Sequence, residues 1–195
     1  MIDLNNVVTN LRKNGFIAEV FSDRASLVTA ILEKLAHSKS ISRGGSVTLD
    51  QLGIPDAIRA KGLPFRGNAT YEDRLAALSA DHFLTGTNAI TEEGYLVNVD
   101  GTGSRIAAIS FGPKQVFVVC GTNKIVKNVK AGFERIRAIA APKTSALIKR
   151  NTPCLSFGRC MNSNSPDCIC RKRHVTLRGE EGRVSVFLIN EPLGF

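Results

Sequence analysis

The sequence predicts an α/β protein, and three observations lead there. Amphipathic helical stretches and short apolar strands alternate from the first residues, in the order helix, strand, helix, strand. The stretch VFVVC, ending at Cys120, is apolar at every position and bounded by Pro113 and Gly121, the pattern of a strand buried on both faces. With 195 residues, 43% hydrophobic and 22% charged, the chain is long enough to bury a sizeable core.

Each element rests on local signals. Asp3 opens a helix with Leu4, Val7, Val8 and Leu11 on one face, closed by Asn14-Gly15. Phe16 to Phe21 alternates as a strand, Asp23 caps a second helix carrying Leu27, Ala30, Ile31 and Leu35, and Ser40 to Ser42 is a short strand. Short helical pieces follow over Leu49 to Lys61, then a helix over Tyr71 to Ala80 and a strand at His82 to Thr85. Ala89-Ile90 and Tyr95 to Val99 form a hairpin through Glu92-Glu93-Gly94, and Gln115 to Cys120 is the buried strand. Val126, Val129, Phe133, Ile136 and Ala140 predict a long helix over Lys124 to Ala141, stopped by Pro142. Val175 to Leu177 and Val184 to Ile189 read as an antiparallel pair joined through Gly179 to Gly182. No internal repeat interrupts this order, so residues 1–195 read as a single domain with a cysteine-rich loop at 151–173.

Composition bounds the function without naming it. Mean hydropathy is zero. No run approaches the roughly 18 apolar residues of a membrane span, and MIDLNNVVTNLRKNG lacks the basic start and apolar stretch of a signal peptide, so a cytoplasmic protein is expected. Of the net charge of +9, residues 1–110 contribute −1 (11 Lys/Arg against 12 Asp/Glu) and the remainder +10 (15 against 5). A basic C-terminal half suits an acidic protein partner or a solvated face. With two Tyr, no Trp and no recognisable module, it argues against nucleic acid.

Four glycine-bearing segments stand where strands end and helices begin, the place where open α/β sheets gather ligands. They are Arg43-Gly44-Gly45-Ser46, Thr85-Gly86-Thr87-Asn88, Asp100-Gly101-Thr102-Gly103-Ser104-Arg105 and Gly121-Thr122-Asn123-Lys124. Any one of them could serve only as a turn. Together, with hydroxyl, amide and basic side chains beside glycine, they suit a phosphate, carboxylate or thioester oxygen. The G-x-x-x-x-G-K-S/T phosphate loop is absent and DGTGSR lacks the third glycine of the dinucleotide motif, which argues against a plain kinase or dehydrogenase. Glu92, Glu93 and Asp100 are the candidate acid/base or nucleophilic groups, with Lys124 as an electrostatic clamp. Against these roles, Glu92-Glu93 suits an exposed turn and Asp100 a cap.

Residues 85 to 126, TGTNAITEEGYLVNVDGTGSRIAAISFGPKQVFVVCGTNKIV, closely resemble the LUD (lactate utilization) domain of LutC/YkgG-like proteins. The likeness extends through SRGGSVTLDQLGI, PCLSFGRCMNSNSPDCIC and the final FLINEPLGF. It implies an α/β fold of the NagB/RpiA/CoA-transferase-like kind, a Rossmann-like mixed sheet flanked by helices. It also implies a part in oxidising L-lactate to pyruvate beside iron–sulfur oxidoreductase subunits. Matched motif by motif, Gly44, Gly45, Ser46, Thr87, Asn88, Asp100, Gly101, Thr102, Gly103, Asn123 and Lys124 become pocket residues for a small anionic metabolite.

Small members of the family carry cysteines as C-x5-C-x2-C-x6-C, suggestive of an iron–sulfur cluster. Here Cys154, Cys160 and Cys170 fill three places, Ser163 replaces the third cysteine and Cys168 is added, giving C-x5-C-x7-C-x1-C. These four thiols could hold a cluster if the loop brings Cys168 inward or if Ser163 serves as an oxygen ligand; a metal-free loop is the alternative, and zinc suits the spacing poorly. Cys120, at the end of a buried strand, reads as packing. Three functions remain open: a lactate-utilization component that binds a small anion, a CoA-transferase-like or phosphosugar-binding enzyme using Glu92 or Asp100, and a non-catalytic subunit docking an acidic redox partner. Association of copies as a homo-oligomer is also open.

Overall fold

The structure, a computed structural model, describes residues 3–161 and 165–195. In chain order its first elements are α1 (Leu4–Lys13), β1 (Ile17–Phe21), α2 (Arg24–Leu35), β2 (Ile41–Arg43), α3 (Val47–Gln51), α4 (Ile54–Ala60), β3 (Phe65–Arg66) and α5 (Tyr71–Ala77). Then come β4 (His82–Thr85), β5 (Ala89–Thr91), β6 (Leu96–Asp100), α6 (Ser104–Ser110), β7 (Gln115–Gly121), a single tight helical turn at Thr122–Lys124 and β8 (Ile125–Val126). The chain finishes with α7 (Val129–Arg135), a π-helical turn (Ile136–Ala140), α8 (Ala141–Leu147), α9 (Pro153–Phe157), β9 (Lys172–Thr176) and β10 (Val184–Ile189).

The N-terminal helices start where the sequence places their caps. The Asp3 carboxylate accepts from the N–H of Asn5 and Asn6, and Asp23 accepts from Ser26 N–H, satisfying donors with no partner in the first turn. Six strands form a wholly parallel sheet in the order β1-β10-β7-β4-β2-β3, with β7 and β4 at its centre and β10 between β1 and β7. The side chains of β7 and β10 alternate between two cores. Val116, Val118, Cys120, Val186 and Leu188 face Val7 and Leu11 of α1 and Ala108 and Ile109 of α6, whereas Phe117, Val119, Phe187 and Ile189 face Leu27, Ile31, Leu49 and Ile58 of α2, α3 and α4. That two-sided burial is why VFVVC is apolar throughout.

Antiparallel pairing is confined to a second sheet of four strands, β8-β5-β6-β9, on which α7 packs through Phe133 and the π turn through Ile136. The expected hairpin is present, with Ala89 opposite Val97 and Ile90 opposite Leu96. Two expectations fail. First, β9 and β10 do not pair: β10 runs parallel between β1 and β7, and β9 runs antiparallel to β6. Their composition explains the split, since β10 is buried at every position and needs a two-sided slot, whereas β9 is half-exposed and suits an edge.

Second, the long helix does not end at Pro142. It begins at Val129, passes through the π turn and resumes through Leu147. Pro142 directly follows the π turn, and the helix runs on past it through Leu147. The wider π turn also leaves the Arg137 carbonyl accepting from Cys160 N–H, which ties the cysteine loop to this helix. No helix among the described residues is long and apolar enough to cross a membrane.

Candidate functional site

Because β2, β4 and β7 are parallel and adjacent, their C-terminal ends lie at one edge of the sheet. The segments that follow them, Gly44–Ser46, Gly86–Asn88 and Thr122–Lys124, therefore emerge side by side. The end of β6 adds Asp100–Thr102 from the second sheet. One cleft of about 810 Å³ receives all four: Gly44, Gly45, Ser46, Thr87, Asn88, Asp100, Gly101, Thr102 and Lys124 line it, and the π turn contributes Ile136 and Ala140. The anticipated convergence of separate loops is met by these residues.

The loops after β2 and β4 approach closely at Gly86, where a Cβ would lie 2.7 Å from Ser46 Oγ and would displace that hydroxyl from Leu49 N–H, which it caps. Three arginines supply the remaining ties. Arg43 bonds the carbonyls of Gly44 and Ser46 and pairs with Asp50 at 2.5 Å. Arg105 donates to the Asn98 side-chain oxygen, to Asn88 Oδ1 at 3.0 Å, to Val99 O at 2.8 Å and to Gly86 O at 3.4 Å. Arg135 joins Asn88 O (2.8 Å) to Asn123 O (3.0 Å), bridging the loops after β4 and β7. Burial lowers the proton affinity of both Arg105 and Arg135.

The sequence flagged none of these arginines as structural clamps. For Arg135 a signal existed, since it lies on the buried stripe shared with Gly132 and Ile136.

Several anticipated residues have other tasks. Glu92 is exposed on the β5–β6 hairpin, where its carbonyl accepts from Asn10, and it does not line the cleft. Its neighbour Glu93 is likewise exposed. Asp100 reaches the cleft, but its carboxylate accepts from the N–H groups of Gly103, Arg105 and Ile106 and lies 3.8 Å from Arg105 Nε, so it closes the turn into α6. Neither carboxylate is placed as a free acid, base or nucleophile.

Thr87 bonds Ala89 O and Asn98 Oδ1, and Asn88 Oδ1 accepts from Val99 N–H. Both side chains therefore hold the loop. Asn123 binds the C-terminal segment at Leu193 N–H and Gly194 O, and Gly103 lines a neighbouring groove beside Lys172. Helix dipoles add little here, because α3 and α6 have only five and seven residues.

Side-chain cations dominate the electrostatics. Arg43, Arg74, Arg105, Lys124, Arg150 and Arg171 line the cleft against Asp50 and Asp100, six positive groups to two negative. Lys124 is 4% exposed and donates to Thr48 Oγ1 at 2.8 Å. Burial pushes its pKa down to about 8; the Cys120 thiol opposes the shift and the Arg135 and Arg105 charges add to it. Cys120 is core packing, with its thiol raised to about 11 by burial.

The β6–β9 pairing carries the cysteine loop to the cleft wall, with Arg171 N–H bonded to Asp100 O, and Cys168 and Cys170 in the lining. Burial raises the Cys170 thiol to about 11, and Cys160, Cys154 and Cys168 each push it further. Cys154 Sγ lies 3.1 Å from Thr152 Oγ1. Among the described residues no three His, Cys, Asp or Glu side chains stand together as a metal-ligand set, and Ser163 lies outside them.

The sequence model of the LUD domain matches residues 4–189. This chain belongs to the LUD domain family. A solved DUF162 family protein from Deinococcus radiodurans is similar over 95% of both chains, at 18% identity and a TM-score of 0.56, which supports the fold of this LUD domain. The delta subunit of eIF2B from Chaetomium thermophilum is 18% identical, covers 66% of this chain and 50% of its own, and overlays at a TM-score of 0.35, too loosely to argue from. No curated protein sequence matches the chain. The parallel sheet flanked by helices is the α/β architecture expected from the sequence.

Proposed function

We propose that this LUD domain binds a small organic anion of the lactate and pyruvate class in the cleft, and that it serves L-lactate utilization beside iron–sulfur oxidoreductase subunits. One observation carries the reading: four sequence-distant loops meet at a single cavity lined by six cationic side chains and two carboxylates. Burying Lys124 is costly unless negative charge accompanies it. Asp50 is paired with Arg43 and Asp100 is held by backbone N–H groups, so a ligand anion is the natural complement. A CoA-transferase-like mechanism finds less support, since Glu92 lies outside the cleft and Asp100 serves as a cap.

Cys154, Cys160, Cys168 and Cys170 are the residues that would hold an iron–sulfur cluster. Their four soft sulfur donors suit one chemically, and Arg159, Arg171 and Arg173 would offset its negative charge, although the loop must draw the thiols closer together. When bound, a cluster would supply one-electron transfer beside the cleft.

Calorimetric titration with L-lactate, pyruvate and inorganic phosphate tests the binding reading. A carboxylate that binds the intact chain and loses affinity in Lys124→Met supports it; no binding by any of the three overturns it. Normal growth on L-lactate after deletion of the gene would remove the physiological assignment. Anaerobic purification with iron and sulfide analysis decides the cluster.

A further inference from the structure

Lys124 differs from the other cations of the cleft in its surroundings. Arg43 is paired with Asp50 and Arg105 rests against Asp100, but Lys124 has the Thr48 hydroxyl as its hydrogen-bond partner and no carboxylate within ion-pair distance among the described residues. Arg135 and Arg105 both disfavour its charge, and the Cys120 thiol, which would favour it, is itself held neutral by burial. The amine also has Gly194 passing directly over it. A Cβ on that residue would stand 2.9 Å from Nζ and 2.3 Å from Thr48 Oγ1, so glycine preserves the space the nitrogen occupies.

A lysine with a pKa of about 8 is neutral in roughly one molecule in ten at pH 7, about 300-fold more often than an ordinary lysine. Desolvation beside other cations is a recognised way of making a lysine amine nucleophilic. Five further cationic side chains line the cleft with Lys124, against Asp50 and Asp100. A nucleophilic amine inside an anion site calls for a ligand that has both a carbonyl carbon and an anionic group.

We propose that Lys124 is a covalent attachment point for anionic carbonyl compounds, with 2-oxo acids as the favoured class. This rests on the anion-binding reading above and assigns the reactive group of that same site. The Lys124 nitrogen adds to the carbonyl carbon, forming the C–N bond and breaking the C–O π bond. The resulting carbinolamine loses water to give a protonated imine. The carbonyl oxygen departs with two of the three ammonium protons, and one positive charge remains on nitrogen, so no oxidant, reductant or net acid is consumed.

The test uses the intact wild-type chain, so it does not depend on a variant folding. The protein is incubated with pyruvate, or separately with dihydroxyacetone phosphate, in the presence of cyanoborohydride, which delivers a hydride to the imine carbon and fixes the link as a secondary amine. Peptide mass mapping then locates the adduct. The expected result is modification of Lys124 at least tenfold ahead of exposed lysines such as Lys13 and Lys61, with the pyruvate arm favoured over the phosphate arm. Modification spread evenly over the exposed lysines, with Lys124 spared, overturns the proposal. Parallel calorimetry with L-lactate, which has the carboxylate but no carbonyl, separates the two failures. If lactate binds while Lys124 stays unmodified, the covalent step falls and anion binding stands; if no anion binds and no adduct forms, both fall.

Discussion

Replacing Arg105 with methionine should loosen the cleft more than any other single substitution in its wall. The Arg105 guanidinium reaches three parts of the chain at once: the Gly86 carbonyl and Asn88 side chain after β4, the Asn98 side chain and Val99 carbonyl of β6, and the Asp100 carboxylate before α6. Methionine fills much of the volume but leaves those acceptors facing one another without a donor. Charged hydrogen bonds contribute roughly 1.5–3 kcal/mol each, and breaking a buried ionic network typically costs about 3–5 kcal/mol, since not every bond is lost independently. At roughly 2–4 °C per kcal/mol for a chain of this size, the melting temperature should fall by about 6–20 °C. Arg105→Lys keeps the charge but not the planar fork, and should fall between wild type and Arg105→Met. Urea unfolding measures the loss directly, through a shifted midpoint at unchanged slope. A loss below about 1 kcal/mol for Arg105→Met would show that the loops hold their places without it and would refute this account of the cleft.

Lys124→Met should separate stability from binding. The folded chain holds the Lys124 proton less tightly than the unfolded chain, so stability should rise between pH 8 and 10.5; the full penalty, on the order of 3 kcal/mol, applies below that window. The variant should therefore gain up to about 3 kcal/mol at pH 7, a gain that disappears near pH 10.5, and should lose anion affinity at pH 7, where the wild-type amine is mostly charged; equal stability curves for the two proteins would contradict the assignment. Gly194→Ala meets a positive φ as well as Thr48 Oγ1 and Lys124 Nζ, and should cost about 1–3 kcal/mol by thermal unfolding. Glu92→Gln, on an exposed turn, should leave stability within about 0.5 kcal/mol and anion binding unchanged in calorimetry. In native protein Cys120, enclosed in the core, should resist a thiol reagent that reaches the exposed Cys170.

Local signals made the element order legible because they act within a few residues. Asp3 and Asp23 announce their helices through caps, and VFVVC announces a central strand because both of its faces meet helices. Pairing is a different matter. Nothing between Val175 and Ile189 discloses that β10 belongs between β1 and β7, since parallel pairing leaves no turn signature. The same limit hid the position of the cysteine loop, which reaches the cleft only because β9 pairs with β6. Pro142 misled because a proline rule that holds for an uninterrupted α-helix does not apply after a π turn. In the cleft, glycine and hydroxyl patterns located the loops. The tasks of Asp100, Thr87 and Asn88 depended on hydrogen bonds to groups brought together only by folding.

Amide chemical-shift mapping of the isotope-labelled chain during titration with pyruvate addresses the shared cavity most directly. The account predicts that saturable shifts cluster at Gly44–Ser46, Gly86–Asn88, Gly101–Thr102 and Lys124 together, while Glu92–Gly94 stay unmoved. Shifts confined to one of these loops, or centred on the hairpin at Glu92–Gly94, would contradict it.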